Sequence, residues 1–436
     1  MACCTIGVLI LTHAYWLTEV AGLPLLHRVL LSGRKAGVQR WLVLCCGQAA
    51  AVQQSLDAAA RLRDVAWHVY DLQAMAPSQL VALLPSDDLL VVLTPAAFDY
   101  RLLMALQEAT GPTLGVAPAE APVRELCSIH HGVVVRETGT APPAWRSAGL
   151  LRCSGAVLAA LLQQCWPDVG RVVLSATLLS ATETPWQALD VSPYVWVPLA
   201  EPLPVSVMAA ETRLLRSLGR EGDSLFVRLV DRRISQAITR RLMHTAVRPN
   251  QITLCSALIG ISGALCLAQP GYLWPVVGSL LFLLSTVVDG CDGEIARLTF
   301  QESAFGARLD VVMDNVVHLF LFPSIALGLY RRAYESIYLW LGGLTILGVA
   351  VSMLVFLPYL WRRQTARSTL ARVHEHLASR DFAYALPVLA LFDKLHWFLW
   401  ATTIGTYLFA VAWVLIVARV QRQQRRVSGA PPASAA

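Results

Sequence analysis

Charge is scarce in this chain. Only 15% of its 436 residues are Asp, Glu, Lys or Arg, against roughly 25% in ordinary water-soluble domains. Hydrophobic residues make up 56%, for a mean hydropathy of +0.54. Such a composition excludes disordered and fibrous classes and leaves a protein at least partly solvated by lipid. Lysine is nearly missing: Lys35 and Lys394 are the only two, so arginine carries the net charge of +6. So small an excess gives no ground for a nucleic-acid partner, and the placement of the arginines matters more than their number. Also missing, among ten cysteines, is any Cys-x-x-Cys pair or Cys/His cluster with zinc spacing. The cysteines read as small buried hydrophobes in a reducing compartment. No secretory leader is expected, because the apolar run Ile6–Leu11 is short, follows no basic residue and is succeeded by His13.

Apolar residues are unevenly spread. Up to about residue 200, short runs rich in Val, Leu and Ile predict strands over 6–11, 41–46, 66–70, 89–93, 132–135 and 194–197. Between them 24–36, 49–62, 78–84, 100–109 and 155–164 have helical spacing. Strands alternating with helices predict a parallel or mixed sheet covered by helices, an α/β domain over 1–205. A linker over 206–248 follows, with a polar helix at 208–220 and an arginine-rich amphipathic one at 225–245. The apolar side chains Leu225, Phe226, Leu229, Ile234, Ile238 and Leu242 and the intervening arginines suit a helix lying on an anionic membrane surface.

From 249 to 420 the sequence predicts an all-α membrane domain of six spans, over 251–268, 273–288, 311–330, 335–360, 382–397 and 398–418. With the first domain cytoplasmic, inner segments hold Arg228–Arg248, Arg297, Arg308, Arg362, Arg363, Arg367, Arg372, Arg380, Arg419, Arg422, Arg425 and Arg426. Outer loops hold only Arg331, Arg332 and Lys394. That asymmetry obeys the positive-inside rule and predicts a cell inner-membrane protein whose N-terminal domain and active site face the cytoplasm. Residues 421–436 read as a disordered tail.

Four acids gather between the second and third spans. Asp289 and Asp292 are three residues apart, and Asp310 and Asp314 four apart, so at helical periodicity each pair shares a face. Ionisable residues at the ends of apolar spans are functional by default. Like charges so close resist ionising together, and a divalent cation removes that conflict. Oxygen-only ligands favour Mg²⁺ or Mn²⁺, and four carboxylates are enough for two ions bridging a diphosphate. Gly293, Ala296 and Gly306 keep the helix surfaces thin, so a nucleotide can lie close to the backbone, and Arg297 offers a planar cationic fork for phosphates.

The string from Asp289 to Asp314 resembles the signature of the CDP-alcohol phosphotransferases, Asp-x2-Asp-Gly-x2-Ala-Arg-x8-Gly-x3-Asp-x3-Asp, with every fixed position filled. Pro249-Asn250-Gln251-Ile252-Thr253 is similar to the stretch that opens the family's first span. The resemblance implies a six-helix membrane domain, often a homodimer, with its metal near the cytoplasmic face. It also implies a CDP-alcohol donor, an alcohol or polyol-phosphate acceptor, and CMP as leaving group. Carried over by position, Asp289, Asp292 and Asp310 would ligate the principal metal, and Asp314 would be the general base and touch a second ion. Asp292, Gly293, Ala296, Arg297 and Gly306 would hold the CDP moiety. Arg308 and Arg380 are the candidates for receiving an anionic acceptor. His318, one turn beyond Asp314, reads as a packing histidine rather than a partner of the site.

The N-terminal domain resembles sugar-phosphate nucleotidyltransferases through Gly22-Leu-Pro24-Leu25-Leu26-His-Arg28 and the segment 36–44. Residues 208–253 resemble the joint of enzymes that fuse a cytidylyltransferase to a phosphotransferase making di-inositol phosphate phosphate. An active nucleotidyltransferase needs a glycine-rich loop and a cation to cradle triphosphate. Here 11–19 has no glycine, lysine or arginine, and Thr94 stands where a metal-binding aspartate is expected. The expectation is therefore a retained Rossmann-like fold without CTP-charging activity. A bifunctional enzyme and a non-catalytic membrane scaffold are the alternatives.

Overall fold

Runs of five or six Val, Leu and Ile residues favour the pleated, buried surface of a sheet over a helix, and most of those in the first half of the chain become strands. The computed structural model describes residues 4–118, 126–130, 133–135, 145–165, 185–218, 231–361 and 382–428. It comprises two units, Met1–Leu218 and Gly219–Ala436.

In the first unit the main sheet holds β1 (Ile6–Leu11), β2 (Arg40–Cys45), β3 (Ala66–Asp71), β4 (Asp88–Val92), β5 (Thr113–Pro118), β6 (Leu126–His130), β7 (Val133–Val135), β8 (Trp145–Ser154) and β9 (Gln187–Asp190). Their order is β3-β2-β1-β4-β8-β5-β9-β7-β6. The four strands β3, β2, β1 and β4 run parallel, whereas β8 is antiparallel to both β4 and β5. Helices α1 (Leu25–Ala36), α2 (Ala49–Asp57), α3 (Pro77–Leu83), α4 (Tyr100–Glu108) and α5 (Gly155–Cys165) connect the strands. This is the expected α/β class. Trp41, fully buried on β2, stands where a Cβ on Gly7 would come within 2.5 Å of its ring, so β1 needs glycine at that contact.

Three sequence expectations shift in this unit. The strand expected over 194–197 forms at Trp196–Pro198 and pairs with Ala96–Phe98 outside the main sheet. Strands β5, β6, β8 and β9 have no counterpart among the expected strands. The helix expected from 208 starts earlier, as α6 (Leu203–Ser217), because Pro204 fits the first helical turn, where its missing N–H is not needed.

The second unit opens with α7 (Arg232–Leu242), followed by α8 (Pro249–Leu267), α9 (Leu273–Leu298), α10 (Ala304–Ala333), α11 (Ile337–Trp361), α12 (Phe382–Leu391) and α13 (Leu395–Ser428). The last six fall within or overlap the six segments expected as spans, without all qualifying as spans. Among the described residues four are long and apolar enough to cross a membrane: Pro249–Leu267, Leu273–Leu298, Ala304–Ala333 and Leu395–Ile416. Two shorter apolar helices, Ile337–Ser352 and Phe382–Leu391, fall below that length.

The boundary expected between 397 and 398 lies instead at Asp393, which adopts the left-handed region at φ 55, a conformation Asp tolerates better than most residues. At the far end, α13 continues to Ser428, into the segment read as disordered. Its Gln and Arg residues are good helix formers that extend a helix already nucleated.

Gly263 and Gly278 bring α8 and α9 into backbone contact, since a Cβ on Gly263 would stand 2.7 Å from the Gly278 carbonyl oxygen. The amphipathic helix also differs from its sequence reading. Of the six apolar positions assigned to its membrane face, Leu225, Phe226 and Leu229 lie outside the described residues and Ile234 points outward. Ile238 and Leu242 pack beside Ile252, Cys291 and Ile295. The buried stripe is Asp231, Ser235, Thr239 and Met243, largely polar and turned toward α9.

Candidate active site

Helix α9 runs past the apolar part of its span and carries Asp289 and Asp292 on its last turns. It stops at Thr299, and Phe300 follows in the left-handed region at φ 54. Ser303 then caps α10 by accepting from the Gly306 amide at 2.9 Å. This short reversal sets the first turns of α10 against the last turns of α9. Asp289, Asp292 and Asp310 each present an oxygen, and the three oxygens lie within 4.8 Å of one another. Asp289 is only 7% exposed, and the other two are half-buried. Three carboxylates so close repel one another and, by chemistry and spacing, fit a hard divalent cation.

Helix α8 steadies two of these acids. Pro249 occupies its first turn and Gln251 reaches back to accept from the Arg248 amide at 2.9 Å, which fixes where the helix begins. One turn on, the Thr253 hydroxyl donates to Asp292. A further turn on, Ser256 donates to Asp289 at 3.4 Å. Both hydroxyls face α9 because they are three residues apart. Neither was identified as a site residue from sequence, although Thr253 closes the Pro-Asn motif and its spacing to Ser256 was visible.

The glycines of the signature stand where a Cβ would sit tight against its neighbours. A Cβ on Gly293 would come within 3.2 Å of Arg297 Nη1, so the Arg297 guanidinium folds back over Gly293. A Cβ on Gly306 would meet Asn250 Oδ1 at 3.1 Å and Ser303 Oγ at 3.1 Å, so this glycine lets the start of α10 approach the start of α8. Ala296 is half-buried beside Arg297.

Asp314 stands outside the three-carboxylate group, one turn further along α10, and its residue is exposed. With Asp289 it lines a cavity of about 820 Å³, whose walls include Phe282, Phe382, Phe398, Phe409 and Trp397. Asn315, Ser352, Thr402 and Thr406 add polar groups to an otherwise apolar lining. His318 also lines it, stacked on Phe322 with ring centroids 5.7 Å apart. Arg308 lies exposed in the first turns of α10. Arg380, with Arg362, Arg363, Arg367 and Arg372, lies outside the described residues.

In the first unit the loop after β1 bounds a hollow of about 50 Å³ lined by Thr12, His13, Trp16, Cys46, Gly47 and Gln48. Thr94 packs where a Cβ on Gly149 would otherwise sit.

Residues 246–422, within the second unit, match the CDP-alcohol phosphatidyltransferase family. More particular likenesses lie in fused proteins. The chain is 31% identical over 140 residues to the bifunctional IPC transferase and DIPP synthase of Aquifex aeolicus, covering 32% of this chain and 31% of that one. It is 39% identical over 111 residues to the protein of the same name from Archaeoglobus fulgidus, covering 26% and 21%. The matched part thus spans less than a third of either relative. Among solved structures, the inositol-1-phosphate CTP transferase from T. maritima aligns over 48% of this chain and 97% of that one, at 13% identity and a TM-score of 0.37.

Proposed function

We propose that this protein is an integral-membrane CDP-alcohol phosphotransferase, which moves a substituted phosphate from a CDP-alcohol to an acceptor hydroxyl and releases CMP. The observation that carries this reading is the set of three carboxylate oxygens within 4.8 Å, beside a cavity that Asp289 and Asp314 share. Asp289, Asp292 and Asp310 would hold Mg²⁺ or Mn²⁺, with Asp314 reaching a second ion. When bound, the metal neutralises the diphosphate and stabilises the leaving phosphate.

The remaining roles belong to this chain's own groups. Thr253 and Ser256 keep two of the carboxylates aimed at the metal position. Arg297, folded over Gly293, offers N–H donors to the phosphates, while Ala296 and Gly306 leave room for the cytidine. Asp314 takes the proton of the acceptor hydroxyl as the new O–P bond forms and the O–P bond to CMP breaks. Positioning and electrostatics then do most of the work, as in other phosphoryl transfers. Arg308 and Arg380 would receive an anionic acceptor, and the fusion joint favours a soluble CDP-polyol over CDP-diacylglycerol as donor.

The arginine distribution supports an inner-membrane protein with both the first unit and the active site on the cytoplasmic side, and the family resemblance supports a homodimer. The first unit keeps its fold but does not charge CTP, for want of a glycine-rich loop and a cation after β1. Pyrophosphate release from CTP is the measurement that checks this.

The deciding experiment offers the purified full chain, with Mg²⁺ or Mn²⁺, a panel of CDP-alcohols and acceptors, and records CMP and product mass. Metal-dependent CMP release with a phosphodiester product is expected. Silence across lipid and polyol donors alike would turn the reading toward a scaffold.

A further inference from the structure

Inside the signature, the two positions the family leaves open between Gly293 and Ala296 are Glu294 and Ile295. Glu294 is 0% exposed, an expensive place for a carboxylate unless it is fully partnered. Among the described residues its partners come from one helix, α7. Arg232 Nη1 donates to Oε1 at 2.9 Å, Ser235 Oγ donates to Oε1 at 2.9 Å, and Thr239 Oγ1 donates to Oε2 at 2.7 Å. The Cys291 thiol, one turn before Glu294, reaches the Ser235 carbonyl at 3.5 Å. At the other end of this contact the Tyr384 hydroxyl of α12 donates to Asp231, next to Arg232. Helix α7 is therefore fastened to α9, which carries two metal-binding acids, and to α12, which lines the cavity.

We infer that Glu294 is a positioning residue. Locked to Arg232, Ser235 and Thr239, it fixes the rotation of α9 about its axis and so holds Asp289 and Asp292 in register with Asp310. At roughly 100° per residue, Glu294 projects about 140° round the helix from Asp289 and about 200° from Asp292. It is thus on the opposite side, where it touches no ion or substrate but resists turning of the helix. Metal geometry tolerates errors of only about 10–20°. The two halves of the lock suit this task. A carboxylate with charged and hydroxyl donors is directional, whereas the apolar contacts of Ile295 and Cys291 with Ile238 and Leu242 would let the helices slide. Ser235 and Thr239 are four residues apart, as two side chains facing one neighbouring helix require.

The inference rests on the metal-binding role proposed for Asp289, Asp292 and Asp310, and its test separates the two. Full-length protein in detergent is titrated with Mn²⁺ alone, and bound ion is read by electron paramagnetic resonance. The variants are Glu294→Gln, which sets an amide against three donors, and Ser235→Ala with Thr239→Val, which keeps the charge and Arg232. Thr345→Val is the control, since it removes an equally buried hydroxyl pair with Thr403 at 2.6 Å between α11 and α13. At least a tenfold weaker Mn²⁺ affinity is expected in both lock variants, with native affinity in the control. The Mn²⁺ concentration giving half-maximal CMP release should rise by the same factor. A role confined to stability would lower the amount of folded protein and leave the affinity of the remainder unchanged, which would overturn the inference. Should Glu294→Gln fail to fold, the hydroxyl variant decides alone. If native protein itself binds no Mn²⁺, the metal reading falls and takes the inference with it. If native protein binds and both lock variants match it, only the inference falls.

Discussion

A buried glutamate pins a helix in each half of the molecule, and in only one half does the contact stand next to chemistry. In the first unit Glu211 of α6 accepts from the Ala21 amide at 2.9 Å. Beside it Arg28 donates to the Val20 and Ala21 carbonyls at 2.9 and 3.2 Å. Burial pulls the Arg28 pKa down to about 10, so the guanidinium is still charged at neutral pH. These groups hold a turn in which Ala21 and Gly22 are both left-handed. In the second unit Glu294 holds a helix that also carries Asp289 and Asp292. Buried polar groups in the first unit thus serve architecture, and the sheet ends in a hollow of about 50 Å³. The second unit has the same kind of lock and, beyond it, three carboxylates whose oxygens lie within 4.8 Å of one another, with Asp289 and Asp314 lining a large cavity. A fold and a site are separable properties of one chain.

The largest effect that could break this contrast lies in the acids. Asp289→Asn or Asp314→Asn in the full chain should lower metal-dependent CMP release by about 10²–10⁴-fold, the usual cost of losing a positioned acid or base. Asp289→Asn should also weaken binding of the first Mn²⁺, whereas Asp314→Asn should leave that ion bound and weaken only a second one, because Asp314 lies outside the three-carboxylate group. Full activity in Asp314→Asn would remove the general base from the mechanism.

How much of this contrast the sequence disclosed depends on how far apart the partners are. The acid pairs were legible because a helical repeat places them locally, and their oxygens converge as that spacing implies. Thr253 and Ser256 were not, since their partners Asp292 and Asp289 are 39 and 33 residues away and only tertiary packing joins them. Helix α7 misled for a related reason. Its arginines and isoleucines suggested a membrane face, but Glu294 pulled the Ser235/Thr239 stripe inward. Strand β8 was hidden by its own composition. Arg146, Ser147, Gly149 and Arg152 look like loop, yet Arg152 is 7% exposed and donates to Asp88 at 2.8 Å and to the Gln107 carbonyl at 2.9 Å. A polar residue buried with its partners supplied is consistent with a core strand, and no periodicity count can see the partners.

A smaller effect sharpens the view of the first unit as architecture. His27 on α1 is buried, and burial lowers its pKa despite a 3.0 Å hydrogen bond with Ser55 Oγ. The unfolded chain therefore binds this proton more readily than the folded one. Stability of the first unit should be whole above the ordinary imidazole value of 6.5, and it should decline as the pH falls below it. The loss should level off once the folded pKa is passed. Hydrogen exchange of peptides from α1 and β2, corrected for intrinsic rates, should show weaker protection at pH 5.5 than at 7.5. His27→Gln should abolish that difference. Equal protection at both pH values in the native chain would mean that His27 is not held neutral by the fold.

The smallest effect expected is none at all, and it bears most directly on the proposal that the first unit does not charge CTP. The full chain given CTP, Mg²⁺ and a panel of polyol phosphates should release no pyrophosphate above the background without enzyme. Backbone donors and a cation must surround a triphosphate before its charge can be neutralised. The loop from Thr12 to Thr18 supplies no glycine, lysine or arginine, and Thr94 is packed against Gly149. Pyrophosphate appearing in step with a CDP-polyol would show that another element of this unit supplies those charges. The chain would then make its own donor, and the separation of fold from site would fail in the very half that suggested it.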